Sequence, residues 1–391
     1  LYGTVKHCVV CGEKLTGVDD TKAKAVPGVI AIIPLEDQAV VVADSTWAAM
    51  QGAKELTLHT SGGHKDLSDE NIIQQFRSDL AKTGVPVAHR GDPATAMVKA
   101  IRVMELEYES PMQAHAAMEP LCATASVTPE GCEVWAPTQS SDFAMMMAMG
   151  VTELSPEKIK VHTTYLGGGF GRKVEYDFIT APLVASKVLG KPVKITWTRE
   201  EDTRHDFYRP PFLIHMQFGL DVHGIPLGLI TKLVGPAVSR RWQMPPPWLE
   251  ENGYDWVVTI GMFDGYNLPN RTPDLSKAYA IPNLQVDFVP SDIKVPTGAW
   301  RSIGTSHNTF ALESALDEVA HAGGHDPFEL RKKLLAHNPR ALAVLDRSAE
   351  LSGWGKPPEG RFHGMSYTDY LETYQVQVVE VSVSKRGKIK V

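Results

Sequence analysis

The chain has 391 residues, 43% of them hydrophobic and 22% charged, with a formal net charge of −7. That acidic balance lacks the basic footprint of a nucleic-acid-binding protein, and no run of about 18 apolar residues offers a membrane-spanning helix. The length allows roughly one to three domains with a sizeable core.

In chain order, "GVIAIIPL" and "QAVVVADS" are short apolar runs of strand type. "TWAAMQGAKEL" has helical spacing, and "LSDENIIQQFRSDLAKTG" predicts a helix that Ser68 caps and Gly84 stops. "VPVAHRGDPATA" reads as a connector, which sets a domain boundary near residues 85–98. "RVMELEYES" alternates, with Met104, Leu106 and Tyr108 on one face and Glu105, Glu107 and Glu109 on the other. The three glutamates therefore read as a solvated strand face rather than as paired catalytic carboxylates.

"LCATASVTPEGCEVWAPT" predicts a hairpin turning at "PEG". "SSDFAMMMAMGVTEL" predicts a helix ended by Gly150, its four methionines filling core space. "KIKVHTTYL" is a strand running into glycines. "KVEYDFITAPLVASKVLG" is helical with Pro182 inside and Gly190 at its end, and "PVKITWTREED" is another strand. Residues 205–300 are rich in Pro, Gly and aromatics, with "WQMPPPWLEENGYDW" as a loop-like insertion. Phe310, Ala311, Ala315, Val319 and Ala320 make a helical apolar stripe that Gly323 and Gly324 terminate. Asp326, Pro327 and Glu329 then open a second helix. The closing "VVEVSVSKRGKIKV" reads as a strand, a turn at Lys385–Gly387 and the start of a second strand. A hairpin interrupted there, in a chain opening at Leu1, is expected of a fragment, a processed product or a split gene.

Cys8 and Cys11 form a C-x-x-C pair, but Cys122 and Cys132 supply no matching second pair for a zinc or iron–sulfur site. A redox pair and two small residues near a strand both remain open.

The most informative stretch is "TTYLGGGFGRK", Thr163 to Lys173. Glycine reaches positive φ and lets a backbone approach a ligand, and exposed N–H groups after a strand bind anions. A phosphate or oxyanion ligand is one reading and a structural turn the other. The P-loop pattern fails because Arg172 precedes Lys173 and Val174 follows it, and the dinucleotide pattern fails at Arg172.

"YLGGGFGRK", together with "HAAMEPLCATASV", "GCEVWAPTQSSD" and "TGAWRSIG…ALESALDEVAHAGGHDPFELRKK", resembles the molybdenum-binding large subunits of the xanthine oxidase family. The likeness is to the branch of isoquinoline 1-oxidoreductase beta subunits and bacterial aldehyde dehydrogenase large subunits, in consistent order over nearly the whole chain. It implies an α+β fold: a small α/β hammerhead-type domain over residues 1–95, then a molybdopterin-binding domain over 96–391, truncated at both ends. It further implies molybdenum on a molybdopterin cytosine dinucleotide, the metal being held by the pterin and by no protein side chain. Gln139 matches the catalytic glutamine that meets the metal-oxo group. Gly168, Gly169, Phe170, Gly171 and Arg172 match one cofactor-binding loop, and Ala299, Trp300 and Arg301 match a second.

The implied activity is oxidation of aldehydes to carboxylic acids with oxygen from water, an isoquinoline-type N-heterocycle being the alternative substrate. Electrons would leave through [2Fe–2S] clusters on a small partner subunit, with a cytochrome c as a further partner. The implied location is periplasmic or associated with the inner membrane, cytoplasmic being the alternative. A non-catalytic remnant of the same fold is the rival reading.

Departures accompany the resemblance. Purine-oxidizing members carry a glutamate where this chain has Val174, with Glu175 one place later. The family's general base, a glutamate in a Gly-Glu motif near the C-terminus, has no counterpart here, because Gly12–Glu13 has the wrong context. His115 and Glu119 read as structural. His307 is a candidate site-lining residue, and Trp242, Trp248 and Tyr254 could gate a pocket or pack their own loop.

Overall fold

The computed structural model describes residues 1–239, 255–262, 278–371 and 373–391. Its strands are β1 Tyr2–His7, β2 Glu13–Asp19, β3 Val29–Pro34, β4 Gln38–Ala43, β5 Thr57–Gly62, β6 Val85–Arg90, β7 Arg102–Ser110, β8 Cys122–Val127, β9 Cys132–Ala136, β10 Ile159–Thr163, β11 Val193–Thr196, β12 Phe212–Leu220, β13 Pro226–Gly235, β14 Asn283–Pro290, β15 Phe362–Tyr370, β16 Thr373–Val383 and β17 Ile389–Lys390. Its helices are α1 Thr21–Lys24, α2 Thr46–Glu55, α3 Asp69–Asp79, α4 Pro93–Lys99, α5 Ser141–Thr152, α6 Asp177–Leu189, α7 Arg199–Arg204, α8 Trp256–Thr259, α9 Thr305–Gly323, α10 Pro327–Leu334 and α11 Pro339–Ser352. The fold is α+β, as expected, and forms two compact units that interleave along the chain.

The first unit comprises Leu1–Asp69, Met112–Pro210 and Ile293–Arg301. Its main sheet runs β10-β9-β8-β11-β1-β4-β3. Here the units depart from a boundary near residue 95. Strand β1 pairs antiparallel with β4 on one edge and parallel with β11 on the other, so Gly3 stands opposite Ile195. Early strands thus share one sheet with strands well past residue 120, and neither set has a complete ladder alone. The two inner helices, α5 and α6, pack on this sheet through Ala144, Ala148, Phe178, Ile179 and Leu183, against Val40, Ala125, Val134 and Ile195. Met145, Met147 and Met149 pack at the margin of that core. Helix α5 does not stop at Gly150; it runs to Thr152 and ends at Glu153 in the left-handed conformation, φ 62°. Helix α6 keeps Pro182 within it and ends at Gly190, φ 60°.

The second unit comprises Glu70–Pro111, Pro211–Asp292 and Ser302–Val391. Its larger sheet runs β6-β14-β13-β12-β7. Residues 85–99 are no connector: they form β6 and then α4, whose first turn Asp92 caps by accepting from Thr95 N at 3.0 Å. Pro86 is tolerated because β6 is an edge strand, paired only with β14 and beside a register shift at Val286/Asp287. Glu105, Glu107 and Glu109 lie exposed on β7, where Arg77 bridges Glu107 at 2.9 Å and Glu109 at 2.6 Å. The final strands β15, β16 and β17 form a separate antiparallel sheet.

This unit is knotted by one buried carboxylate. Glu313 of α9 accepts from Arg331 Nε at 2.9 Å, from the Tyr279 hydroxyl at 2.7 Å and from Tyr367 N at 2.7 Å. Arg331 is fully buried and also donates to Asp317 at 2.6 Å and to the Glu313 carbonyl at 3.0 Å. Removing one partner would strand the other charge in a dry site. Arg331→Met is therefore expected to cost about 3–5 kcal/mol of stability, read from the urea unfolding midpoint. A cost under about 1 kcal/mol would place this knot among the surface-like ion pairs.

Candidate functional site

The site belongs to the first unit and begins with strand pairing. Strands β9 and β10 run parallel, so "APTQ" after β9 and the glycine loop after β10 leave the sheet at the same end. The two segments are then joined: Thr164 N donates to Ala136 O at 3.1 Å, and Gln139 N donates to Lys173 O at 2.8 Å. The Gln139 side chain faces the loop, its Oε1 accepting from Gly171 N at 3.0 Å. With Oε1 so occupied, the two amide hydrogens on Nε2 remain as donors without an acceptor among the described residues.

The second loop meets the first through its backbone. Arg301 N donates to Phe170 O at 2.8 Å. Gly171 has φ 99°, and a Cβ there would stand 1.9 Å from Ala299 O, so only glycine permits this approach. At Gly169 a Cβ would stand 2.4 Å from Gln139 Oε1. Two non-glycine residues bordering the site carry left-handed backbone, Phe170 at φ 55° and Ala116 at φ 46°. Such strain persists where surrounding structure over-determines it, often at ligand clamps. The N–H groups of Gly168, Gly169 and Phe170 donate to no acceptor among the described residues. Successive free N–H groups in a tight turn form a concavity for anions.

Gln139, Gly168, Gly169, Phe170, Gly171, Ala299, Trp300 and Arg301 are thus brought to one place, and Arg172 is not. Its guanidinium is 2% exposed and turned inward. It holds Asp177 with two bonds of 2.8 and 2.7 Å, and its Nε lies 2.8 Å from Asp206. It also packs over Phe207 and Trp197. Burial disfavours its charge, but Asp177 and Asp206 outweigh burial and hold the pKa above the ordinary arginine value. This places the guanidinium beneath the loop rather than among the loop groups above, where its rigid fork makes two parallel bonds to Asp177 and lies close to Asp206.

Lys173 is likewise fully buried, its Nζ 2.5 Å from Glu119 Oε2. The same oxygen accepts from Gly167 N at 2.9 Å, and Glu119 N donates to Gly167 O at 2.9 Å. Burial raises the Glu119 pKa, yet Lys173 and the Gly167 N–H more than compensate, and the carboxyl stays below its ordinary value. Both cations of "GRK" therefore brace the loop. Sequence reasoning missed these pairs because Glu119 lies 54 residues from Lys173, and no local spacing signals the contact.

His115 is structural in a specific sense. Its ring lies between Asp206 Oδ2, 2.9 Å from Nδ1, and Ala299 O, 3.0 Å from Nε2. It stacks against Trp300 at 4.5 Å, and Arg209 lies over the same indole at 5.8 Å. Asp206 thus ties Arg172 under the first loop to His115 under the second. Glu175 is buried, with Oε1 3.3 Å from where a Cβ on Gly298 would stand. His307 is buried in the second unit, donating to Val258 O at 2.9 Å and stacking on Phe212 at 4.1 Å. Trp242, Trp248 and Tyr254 lie outside the described residues. Cys8 and Cys11 are free thiols that burial pushes up in pKa, the reverse of a reactive pair.

Compared with known proteins, the chain matches the molybdopterin cofactor-binding domain over residues 76–236 and 255–335, more than half its length. It is 25% identical to isoquinoline 1-oxidoreductase subunit beta of Brevundimonas diminuta, over 98% of this chain and 50% of that protein. It is 26% identical to the membrane-bound aldehyde dehydrogenase [pyrroloquinoline-quinone] of Gluconacetobacter polyoxogenes, over 88% and 47% respectively. The solved aldehyde oxidoreductase of Desulfovibrio desulfuricans matches in fold with a TM-score of 0.72 at 17% identity, over 94% of this chain and 46% of that one. The chain spans about half the length of the curated relatives it matches. Two backbone loops that meet around an oriented glutamine amide, within a chain that this domain model matches over most of its length, identify the protein as a member of the molybdopterin cofactor-binding domain family.

Proposed function

We propose that this chain carries the molybdenum-facing side of an oxidoreductase active site, and that the complete protein oxidizes aldehydes to carboxylic acids with water as oxygen source. The observation that carries the reading is the orientation of Gln139: Gly171 N fixes Oε1, so Nε2 is the end left to donate. The residues fit a molybdopterin group. The free N–H groups of Gly168, Gly169 and Phe170 suit anionic pterin or phosphate oxygens, and the glycines keep side chains out of their way. When bound, the group would supply a Lewis-acidic redox centre that accepts two electrons from substrate.

The chain's own residues then hold and orient. Gln139 Nε2 donates to an oxygen on the group, and its position costs no reorganization because Gly171 has already set it. Ala299 and Trp300 are held from behind by His115 and Arg209. The carboxylates nearest these loops are committed: Glu119 to Lys173, Asp177 and Asp206 to Arg172, while Glu175 is buried. We take the proton-accepting base from a part of the complete protein that this chain does not span.

The cytosine dinucleotide form of the pterin, a [2Fe–2S] partner subunit, a cytochrome c and a periplasmic or inner-membrane-associated location complete the proposal. A second reading, an N-heterocycle as substrate, draws support from the likeness to an isoquinoline oxidoreductase subunit. Val174 and the burial of Glu175 both leave no carboxylate for a purine at that position.

Molybdenum and released cytosine nucleotide, measured in the protein purified from its native host, are expected near one of each per chain. Neither present would favour the non-catalytic reading, and bound pyrroloquinoline quinone, named in one relative, would replace the cofactor proposed. Gln139→Ala should keep its molybdenum and lose about 10²–10³-fold in turnover; unchanged turnover removes Gln139 from the reaction. Gly171→Ala should instead lose the molybdenum, since its Cβ would meet the Ala299 carbonyl and part the two loops. Full molybdenum in Gly171→Ala would mean that the cofactor does not depend on that approach. Turnover of xanthine without turnover of aldehydes or N-heterocycles would overturn the reading of Val174.

A further inference from the structure

A second constellation stands in the first unit, built from none of the loop residues above. Strand β1 ends at His7, and its parallel neighbour β11 leads into the Thr198 cap and helix α7. The pairing brings the end of β1 beside Glu201 and His205, one helical turn apart at i and i+4. Glu201 Oε2 lies 2.7 Å from His7 Nδ1 and 3.5 Å from His205 Nε2. One ligand-capable atom from each of the three residues falls within 4.8 Å of the other two. The His7 and His205 rings stack at 4.4 Å, and Trp197 covers His7 at 4.5 Å.

A hydrogen-bonded His–Glu–His cluster would explain His7 but not His205. His205 Nε2 is buried and makes no hydrogen bond among the described residues, because its approach to Glu201 is long and misaligned. A buried ring nitrogen left without a partner is costly, and coordination would satisfy it. The Lys6 ammonium, the cation next to His7, is taken up by the carbonyls of Ala53 and Leu56 at 3.0 and 2.6 Å.

We propose that His7, Glu201 and His205 bind a divalent transition metal, zinc being the best match. Two imidazoles and one carboxylate disfavour calcium and magnesium, which take oxygen ligands, and suit a tetrahedral ion with water in the fourth position. Zinc–nitrogen bonds of about 2.0–2.1 Å need only a small opening of the His7–Glu201 contact once its proton leaves. Glu201 and His205 keep 13% and 19% side-chain exposure, so solvent can deliver the ion. The metal would staple the first strand of the chain to a helix 194 residues away.

The test uses the intact protein as purified, treated with a chelator and then dialysed against Zn²⁺ alone. Bound zinc is counted by mass spectrometry and its ligands are read at the zinc X-ray absorption edge. Both readouts are element-specific, so molybdenum or iron elsewhere does not interfere. About one zinc per chain with two imidazole ligands is expected. Because His7 is buried in a stack, the variants are His205→Ala and Glu201→Gln, each checked by circular dichroism without metal. Each should weaken zinc binding by at least about 100-fold, beyond the 10–100-fold cost of losing an outer partner. Added zinc should raise the melting temperature of the parent protein and leave that of both variants unchanged. No zinc retained by the parent protein, or equal zinc affinity in the variants, overturns the proposal.

Discussion

The loops of the cradle rest on two buried cations, Arg172 and Lys173, that point away from the ligand side. Each faces carboxylates from below, Arg172 those of Asp177 and Asp206 and Lys173 that of Glu119. Burying such charges is expensive and requires opposite charges close by. That requirement gives the loop one position. If Glu119 shifted, Lys173 would lose its anion and Gly167 its acceptor together. Through Asp206 and His115 the same requirement reaches Ala299 of the second loop and links the two loops from beneath.

On that foundation the backbone can be held where it would not otherwise stay. Phe170 keeps a left-handed φ, and Gly171 lies against the Ala299 carbonyl with no room for a side chain. Both conformations are unfavourable in isolation and persist because their surroundings are fixed. What results is a surface made of N–H groups and one primary amide. Such a surface suits a group whose outer atoms are oxygens. The arrangement divides the work. Charge supplies rigidity underneath, and neutral donors are left open above.

The sheet order explains both sites. Parallel pairing of β9 with β10 sets "APTQ" beside the glycine loop, and parallel pairing of β1 with β11 sets His7 beside α7. In each case a strand end presents a polar residue to a segment far away in sequence. A chain cut between the early strands and β11 would leave β1 without one of its partners and separate His7 from Glu201.

Much of the local structure was legible without coordinates. The capped helix at Asp326, the glycine end of α6, the exposed glutamate face of β7 and the glycine loop all follow from propensities acting within a few residues. So did the motif set that gathers Gln139, Gly169, Phe170 and Ala299, because the motifs are short and ordered. Where local signals were weak they misled. Gly150 was available to stop α5, but the helix gains core contacts for Val151 by continuing, and residues 85–99 became a strand and a helix because β14 had an edge to fill. Arg172 carries no mark in the sequence to say which way it points. Its direction, the partnership of Lys173 with Glu119, and the meeting of His7 with Glu201 and His205 were decided by tertiary structure alone. Composition and periodicity describe neighbours along the chain, whereas these contacts join residues that only the pairing of distant strands brings within reach.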